Sequence, residues 1–340
     1  MTKTIAVLGA TGAQGGSVAE KFLSLGWHVR GITRNDTSDA ARTLASKGIE
    51  VVPADIDDPA TLIPAFSGAE VIFAVTDFWA PFFTSFRELS QVSDRATGEH
   101  ALSIELKRGK TIVDAATEVL TKEGKLKRFI WSTLPSVKEL SKGKYTYTYH
   151  YESKAQVSKY LQERKDLWER SSLLYMGFYT TNIKVYKNIL GFVKQVLCTD
   201  CPSKENEPNK YVYRNIGSKF VLHPFVVPTD TGIFVDLLVR ASPKKLLMGV
   251  SEMTSVETLS NTWSEVTGRQ SEVKELAVGE LLMEWPDKPV SGSLVREVAK
   301  GVAASAEFGW GDVVLPNEID PKVKTTSLKE YFQGEDWTEY

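Results

Sequence analysis

Short apolar runs alternate with helix-spaced apolar positions along the first half of the chain. The runs predict strands at residues 5–8, 27–33, 50–55, 69–76 and 127–133, and a sixth strand with its turn at 172–182. Helical spacing follows the first run and recurs at residues 40–47 and 59–66. Strands that alternate with helices in this way indicate an α/β fold with a doubly wound parallel sheet.

The alternation weakens after residue 182. Helical patterns return at residues 257–267 and 328–337 and beyond a turn at 226–232, whereas residues 286–308 are mixed. We therefore predict two domains. The first covers residues 1–182, with a core that extends to about residue 170. The second, residues 183–340, is a smaller α/β domain, interleaved with the first and lying over the mouth of the sheet.

Three glycines at three-residue spacing lie between the first strand and the first helix. The segment reads Gly9-Ala10-Thr11-Gly12-Ala13-Gln14-Gly15. Gly9 allows a sharp reversal, Gly12 leaves room for a pyrophosphate, and Gly15 lets the helix approach the sheet. The helix N-terminus offers unpaired N–H groups to a phosphate. This pattern predicts a dinucleotide-binding turn, with a tight strand-to-helix turn as the structural alternative.

Arg34 follows the second strand, at the position that selects between the two nicotinamide dinucleotides. An acidic residue there binds the ribose 2′-hydroxyl of NAD(H), whereas an arginine suits the 2′-phosphate of NADP(H). We predict NADP(H) in preference to NAD(H). Asp36 is the competing residue, because a shift of two positions would put a carboxylate there.

Ligands of doubly wound sheets lie beyond the carboxyl ends of the strands. Asp55 and Ile56 follow the third strand, where they either contact the adenine or form a solvated acidic loop. Thr76, Asp77 and Phe78 follow the fourth strand, and we expect them to contact the nucleotide.

The pattern loosens between residues 79 and 103. This segment contains an aromatic cluster of Trp79, Phe82, Phe83 and Phe86. The cluster either lines a substrate pocket or packs beneath a long loop. Lys107 is predicted to open the next helix, either as a cofactor contact or as a solvated cation.

Polar side chains follow the fifth strand and begin a later helix. Ser132 and Thr133 end the strand, where one hydroxyl could bind a substrate carbonyl beside a nicotinamide. Lys154 is predicted to lie in the first turn of the helix, an end at which a cation is disfavoured unless an anionic group compensates. This conflict is a sign of function.

Composition gives no support for several classes of function. A net charge of -2 gives no support for direct binding to nucleic acid or membrane. No apolar run approaches the roughly 20 residues of a membrane span, so we expect a cytoplasmic protein, with the nucleus as a second location. Cys198 and Cys201 are the only cysteines, and no histidine is near them in sequence. They read as reduced thiols or a redox pair, and we predict no metal site.

Taken together, several motifs resemble the NmrA-like family, an atypical branch of the short-chain dehydrogenases that includes fungal nitrogen-repression regulators and reductase-like proteins. The motifs lie at residues 9–16, 33–35, 76–79, 107–110, 150–154, 177–182 and 328–332. The resemblance implies a Rossmann domain, a small α/β C-terminal domain and bound NADP(H). It implies that Arg34 binds the 2′-phosphate and that Lys154 approaches the nicotinamide ribose. It also implies cofactor contacts in the turn after the sixth strand, from Gly177, Phe178, Tyr179 and Asn182.

One departure separates the chain from the catalytic dehydrogenases of this branch. Their Tyr-x-x-x-Lys motif supplies a phenol that exchanges a proton while hydride moves, but His150 stands four residues before Lys154. His150 or Lys154 would then move the proton. Two functions remain open: an NADPH-dependent oxidoreductase acting on a small carbonyl, enone or imine, and a non-catalytic NADP(H) sensor that binds a regulatory protein.

Overall fold

The computed structural model describes residues 2–195, 210–283 and 289–340. In chain order the strands are β1 Thr4–Leu8, β2 His28–Thr33, β3 Glu50–Pro53, β4 Val71–Ala74, β5 Arg128–Thr133, β6 Ser171–Met176, β7 Phe178–Tyr179, β8 Phe192–Lys194, β9 Lys210–Ile216, β10 Leu222–Val226, β11 Leu246–Gly249, β12 Glu252–Ser255 and β13 Gln270–Leu276. Cys198 and Cys201 lie outside the described residues.

The helices alternate with the strands in the first half and dominate the later segments. In chain order they are α1 Ala13–Ser24, α2 Asp39–Ser46, α3 Pro59–Phe66, α4 Trp79–Leu89, α5 Ala96–Glu123, α6 Val137–Leu140, α7 Tyr149–Glu163, α8 Lys165–Trp168, α9 Asn182–Val185, α10 Lys187–Leu190, α11 Thr231–Arg240, α12 Val256–Thr267, α13 Val278–Met283, α14 Pro289–Phe308, α15 Pro316–Ile319 and α16 Leu328–Gly334.

A seven-stranded parallel sheet forms the centre, in the order β11-β6-β5-β4-β1-β2-β3. Strand β1 is buried on both faces, since Ile5, Ala6 and Val7 are inaccessible to solvent. Helices cover both faces, as a parallel sheet requires. The strand order changes direction at β1, between β2 and β4, and this creates a crevice at the carboxyl ends. The predicted doubly wound α/β fold is confirmed.

The chain returns to the central sheet after residue 182. Strand β11 pairs in parallel with β6 and forms one edge of that sheet. Two three-stranded sheets, β12-β10-β7 and β13-β9-β8, complete the later part together with α12, α14 and α16. The predicted small α/β part is therefore present, and it is joined to the first through shared strands.

The prediction of a loose segment at residues 79–103 was wrong. Helix α4 begins at Trp79 and α5 already begins at Ala96, so Lys107 lies inside a long helix and does not open one. The buried face of α5 uses small residues where large apolar ones were expected. A Cβ on Gly98 would lie 2.2 Å from the Tyr149 ring, and one on Gly109 would lie 2.3 Å from Val157. Close packing against α7 therefore removed the usual apolar pattern.

Two further boundaries differ from the sequence-based expectations. Helix α7 begins at Tyr149, so Lys154 lies in its second turn, and the unfavourable helix-end position predicted for this cation was wrong. The segment interpreted as mixed at residues 286–308 contains the continuous helix α14 from Pro289.

Candidate nucleotide and substrate site

The glycine-rich turn has the conformation that its spacing predicts. Gly9 has a φ of +72°, which only glycine adopts readily. A Cβ on Gly15 would lie 2.2 Å from the Gly9 carbonyl oxygen, so α1 can pass this close to the turn only with glycine there. Gly12 is the N-cap of α1, and no side chain caps that end. The first-turn N–H groups of α1 are thus available to a phosphate.

A cavity of about 630 Å³ lies at the carboxyl ends of the central strands. Every predicted site residue except Ala10 and Lys107 lines this cavity. The lining residues that were predicted are Gly9, Thr11, Gly12, Ala13, Gln14, Gly15, Arg34, Asp55, Ile56, Thr76, Asp77, Phe78, Ser132, His150, Lys154, Gly177, Phe178, Tyr179 and Asn182. Ala10 is buried beside Gly31 instead. Lys107 is exposed on α5, and its neighbour Arg108 lines the cavity.

One end of the cavity carries cationic side chains. Arg34 is exposed at the lining and makes no hydrogen bond or ion pair with the described residues, whereas Asp36 is not part of the lining. Arg108 binds Asp57 through two hydrogen bonds, Nε to Oδ1 at 2.9 Å and Nη2 to Oδ2 at 2.6 Å. These bonds lower the pKa of the Asp57 carboxyl. Arg34 is therefore available to bind an anionic ligand.

Gln14 connects the glycine-rich turn to two other parts of the site. Its side-chain amide donates to the Tyr179 hydroxyl at 2.7 Å, and its carbonyl oxygen accepts from the Ser132 hydroxyl at 2.6 Å. Burial raises the pKa of Tyr179, so the phenol stays protonated near neutral pH. The contacts fix the Ser132 side chain at the carboxyl end of β5, facing the cavity.

Lys154 is held by a buried carboxylate. Its ammonium forms an ion pair with Glu105, whose side chain is inaccessible to solvent. It also donates to the carbonyl oxygen of Thr76 at 2.9 Å and lies 3.2 Å from the Thr76 hydroxyl. That hydroxyl and the Ser153 hydroxyl both donate to Glu105. The carboxylate thus compensates the charge of Lys154 within the protein.

His150 is held by a second buried carboxylate, from α14. Oε1 of Glu297 accepts the backbone N–H of His150 at 2.7 Å and lies 2.6 Å from Nδ1 of the ring. Burial raises the pKa of the Glu297 carboxyl, and the hydrogen bonds from His150 oppose that rise. The centroid of the imidazole ring lies 5.1 Å from that of the Trp79 ring and 4.4 Å from that of the Tyr151 ring.

Aromatic rings also line the cavity. Trp79 and Phe178 follow β4 and β6, which lie on the other side of β1 from β2 and Arg34. The lining includes Trp79, Tyr151, Phe178, Tyr186 and Trp310. Adjacent pairs are in contact, with ring centroids 6.1 Å apart for Tyr151 and Trp310 and 5.6 Å apart for Phe178 and Trp310. Within the predicted cluster, Trp79 belongs to this lining, while Phe82 and Phe86 are buried in packing. Phe83 is exposed, so the packing interpretation holds for only part of the cluster, and the substrate-pocket interpretation stays a prediction for Trp79.

Residues of the site that the sequence did not predict include Glu105, Arg108, Tyr186, Glu297 and Trp310. Glu105 had a signal, because it shares a face of α5 with Ala101, Gly109 and Ile112, at spacings of one and two turns. A carboxylate on a buried face requires a partner. Glu297 had no local signal, since its partner is 147 residues away in the chain.

The described ranges contain no group of three or more metal-binding side chains, and none of their helices is long and apolar enough to cross a membrane.

Comparison with known proteins confirms the family resemblance. A model of the NmrA-like family matches residues 1–340. The NmrA-like family domain-containing oxidoreductase malD of Malbranchea aurantiaca is 26% identical over 343 residues, which cover 96% of this chain and 90% of malD. The related oxidoreductase FrzB of Cladobotryum sp is 37% identical over 145 residues, 42% of this chain and 38% of FrzB.

Solved structures share the fold. NmrA, described as a negative transcriptional regulator, superposes in its complex with NADP with a TM-score of 0.65 and 17% identity, over 98% of this chain and 95% of NmrA. Its complex with NAD gives a TM-score of 0.66 and 16% identity, with the same coverage. NmrA thus binds either dinucleotide on this fold.

Proposed function

Because the chain belongs to the NmrA-like family, we propose that it is an NADPH-dependent oxidoreductase acting on a small carbonyl, enone or imine substrate. The observation that carries this proposal is a single cavity with two chemically different ends. The end at Arg34 suits a phosphorylated nucleotide, and the aromatic end suits an apolar substrate. Ser132, His150 and Lys154 all line this cavity, where both ligands can reach them.

The residues present fit an NADP(H) molecule. The cradle at Gly9 and Gly15 would be filled by any Cβ on Gly15, and the uncapped start of α1 offers N–H donors to the pyrophosphate. Arg34 would bind the 2′-phosphate, with Asp55 and Ile56 beside the adenine. Thr76, Asp77, Phe78, Gly177, Phe178, Tyr179 and Asn182 would enclose the nicotinamide half, with Lys154 beside its ribose. We assign this binding to residues 1–182 and the cover over the substrate to residues 183–340.

A reduced nicotinamide supplies a hydride when it is bound. The residues of this chain would orient the substrate and supply the proton. Ser132 can donate a hydrogen bond to a substrate oxygen in place of its bond to Gln14. The proton comes from His150 or from Lys154, since neither Tyr149 nor Tyr151 takes the position of the missing tyrosine. Tyr149 does not line the cavity, and burial raises the pKa of Tyr151.

A non-catalytic NADP(H) sensor is the second candidate. It is favoured by the replacement of the catalytic tyrosine with His150 and by the ion pair that occupies Lys154. In this function the nucleotide would change the affinity for a regulatory protein through conformations that it stabilises.

An assay of NADPH oxidation by the purified protein separates the two candidates. The loss of absorbance of the reduced nicotinamide measures the oxidation. The test uses a panel of ketones, quinones, enones and imines, with Lys154→Met as the variant and Lys159→Met, an exposed lysine on the same helix, as the control. The oxidoreductase proposal expects turnover that Lys154→Met reduces and Lys159→Met retains. Saturable NADP binding without turnover on any of the four classes would favour the sensor.

A further inference from the structure

Glu297 is a buried carboxylate that belongs to α14, yet it contacts the start of α7. Its side chain is only 2% exposed, and it binds both the backbone N–H and the ring of His150. We propose that Glu297 is a positioning residue that holds His150 as the group which exchanges a proton with the substrate. This inference rests on the proposed oxidoreductase function and chooses between its two proton carriers.

Lys154 is unsuited to the transfer because its donors are already used. An ammonium has three N–H donors. The acceptors in reach are one oxygen of Glu105, the Thr76 carbonyl oxygen and the Thr76 hydroxyl. A substrate would have to displace one of these bonds and leave the buried Glu105 carboxylate less compensated. Lys154 thus acts through its position and charge.

His150 has the free donor that Lys154 lacks. Nδ1 is engaged by Glu297, while Nε2 makes no hydrogen bond to any residue that the structure describes, and the ring lines the cavity. The rings of Phe78 and Trp79 lie 5.8 and 5.1 Å away and restrict rotation of the imidazole. A carboxylate on one ring nitrogen fixes the tautomer and leaves the other nitrogen for the ligand.

The surrounding charges leave Glu297 as the partner of His150. On α7, burial raises the pKa of Tyr149 to about 12 and raises that of Tyr151, so both phenols are neutral. The charged residues on the neighbouring elements have other partners. On α14, Arg296 pairs with Asp94 and Lys300 lies over the Tyr147 ring. From the β4 loop, Asp77 accepts the backbone N–H of Trp79, while Phe78 and Trp79 are uncharged.

In the proposed step, a bound reduced nicotinamide would supply a hydride, with cleavage of its own C–H bond and its oxidation. The substrate carbon would form a new C–H bond, and its π electron pair would move to the substrate oxygen or nitrogen. That atom takes the proton from Nε2 of the imidazolium, which becomes neutral imidazole with its Nδ1–H on Glu297. Solvent returns the proton before the next turnover.

The competing explanation is that Glu297 merely caps α7. Glu297→Gln separates the two, because an amide oxygen still accepts the backbone N–H but carries no charge. We expect kcat to fall about tenfold or more, with the NADPH dissociation constant within twofold of the parent value, and the pH-rate profile to move to lower pH. The matched control is Glu330→Gln, which makes the same change at the start of α16 and should leave kcat unchanged.

The double variant His150→Gln/Glu297→Gln should be no slower than His150→Gln alone, since Glu297 acts through the ring. Equal kcat and an unmoved pH profile in Glu297→Gln, with only the melting temperature lowered, would overturn the positioning role. The positioning role would also be overturned if the decreases in kcat of the two single variants multiplied in the double variant.

A nuclear magnetic resonance titration of the imidazole nitrogens gives a readout that needs no turnover. The chain has four histidines, and His150→Gln assigns the relevant signals. We expect the neutral ring to carry its proton on Nδ1, the nitrogen that contacts Glu297. A proton on Nε2 would contradict the inference. If the parent protein were inactive but showed the expected tautomer, the oxidoreductase function would be rejected. The contact between His150 and Glu297 would still be supported.

Discussion

The ammonium of Lys154 on α7 forms a buried ion pair with the carboxylate of Glu105 on α5. The two helices can approach because Gly98 and Gly109 replace larger side chains along the contact. Lys154 also lines the cavity, whereas Glu105 is buried and is not part of the lining. The pair therefore links the packing of α5 against α7 to the candidate site.

Breaking this pair from one side should destabilise the protein strongly. Glu105→Ala leaves a buried cation and removes the acceptor of Thr76 and Ser153. We expect the free energy of unfolding to fall by about 3–5 kcal/mol. Denaturant unfolding measures the change, and Glu118→Ala, an exposed glutamate on the same helix, serves as the control. The double variant Glu105→Ala/Lys154→Met should recover part of the loss, and purely additive losses would argue against a coupled pair.

Arg34→Ala should weaken NADP(H) binding far more than NAD(H) binding. The expected loss is about 1.5–3 kcal/mol, the value of one hydrogen-bonding contact to a charged group. Calorimetric titrations with both dinucleotides measure the difference. Arg42→Ala is the control, because this exposed arginine pairs with Asp39 away from the cavity. Equal weakening of both dinucleotides would place the 2′-phosphate elsewhere.

Gly15→Ala should damage the glycine-rich turn, because its Cβ would lie 2.2 Å from backbone. We expect a loss of stability of about 1–3 kcal/mol from overpacking, together with weaker nucleotide binding. Gly16→Ala is the matched control, since the Cβ there would be 3.5 Å from its nearest neighbour, an ordinary contact. Thermal melting with and without NADPH gives both quantities, and identical behaviour of the two variants would refute this geometry.

His223 should make the fold sensitive to acid. Its ring is buried between Phe178 and Phe225, and burial lowers its pKa from 6.5 to about 4. Because the unfolded chain takes up a proton below pH 6.5 and the folded chain does not until about pH 4, stability falls as pH decreases through this window.

The variant His223→Phe removes that proton uptake. We expect the stability difference between pH 7 and pH 4 to shrink by up to about 3 kcal/mol relative to the parent. Denaturant unfolding at a series of pH values tests this. The exposed His100 provides the control His100→Gln, which should keep the parent slope. An unchanged slope in His223→Phe would show that the ring already titrates normally.

The sequence was informative where chemistry is local. The Gly9 turn, the Arg34 position and the strand ends at Thr76 and Ser132 depend on residues adjacent in the chain, and each lines the cavity. Helix α4 and the beginning of α5 were missed. On α5, the packing of Gly98 against Tyr149 puts a glycine on the buried face, where a large apolar residue would have indicated a helix. Glu105 and Glu297 were missed because their partners come from α7, and a single sequence does not show which distant helices meet.

A calorimetric titration of the purified protein with NADPH tests the central claim most directly. We predict saturable binding of one NADPH per chain, at least about tenfold tighter than NADH, because Arg34 adds a contact to the 2′-phosphate. No binding of either dinucleotide, or equal affinity for both, would contradict the account.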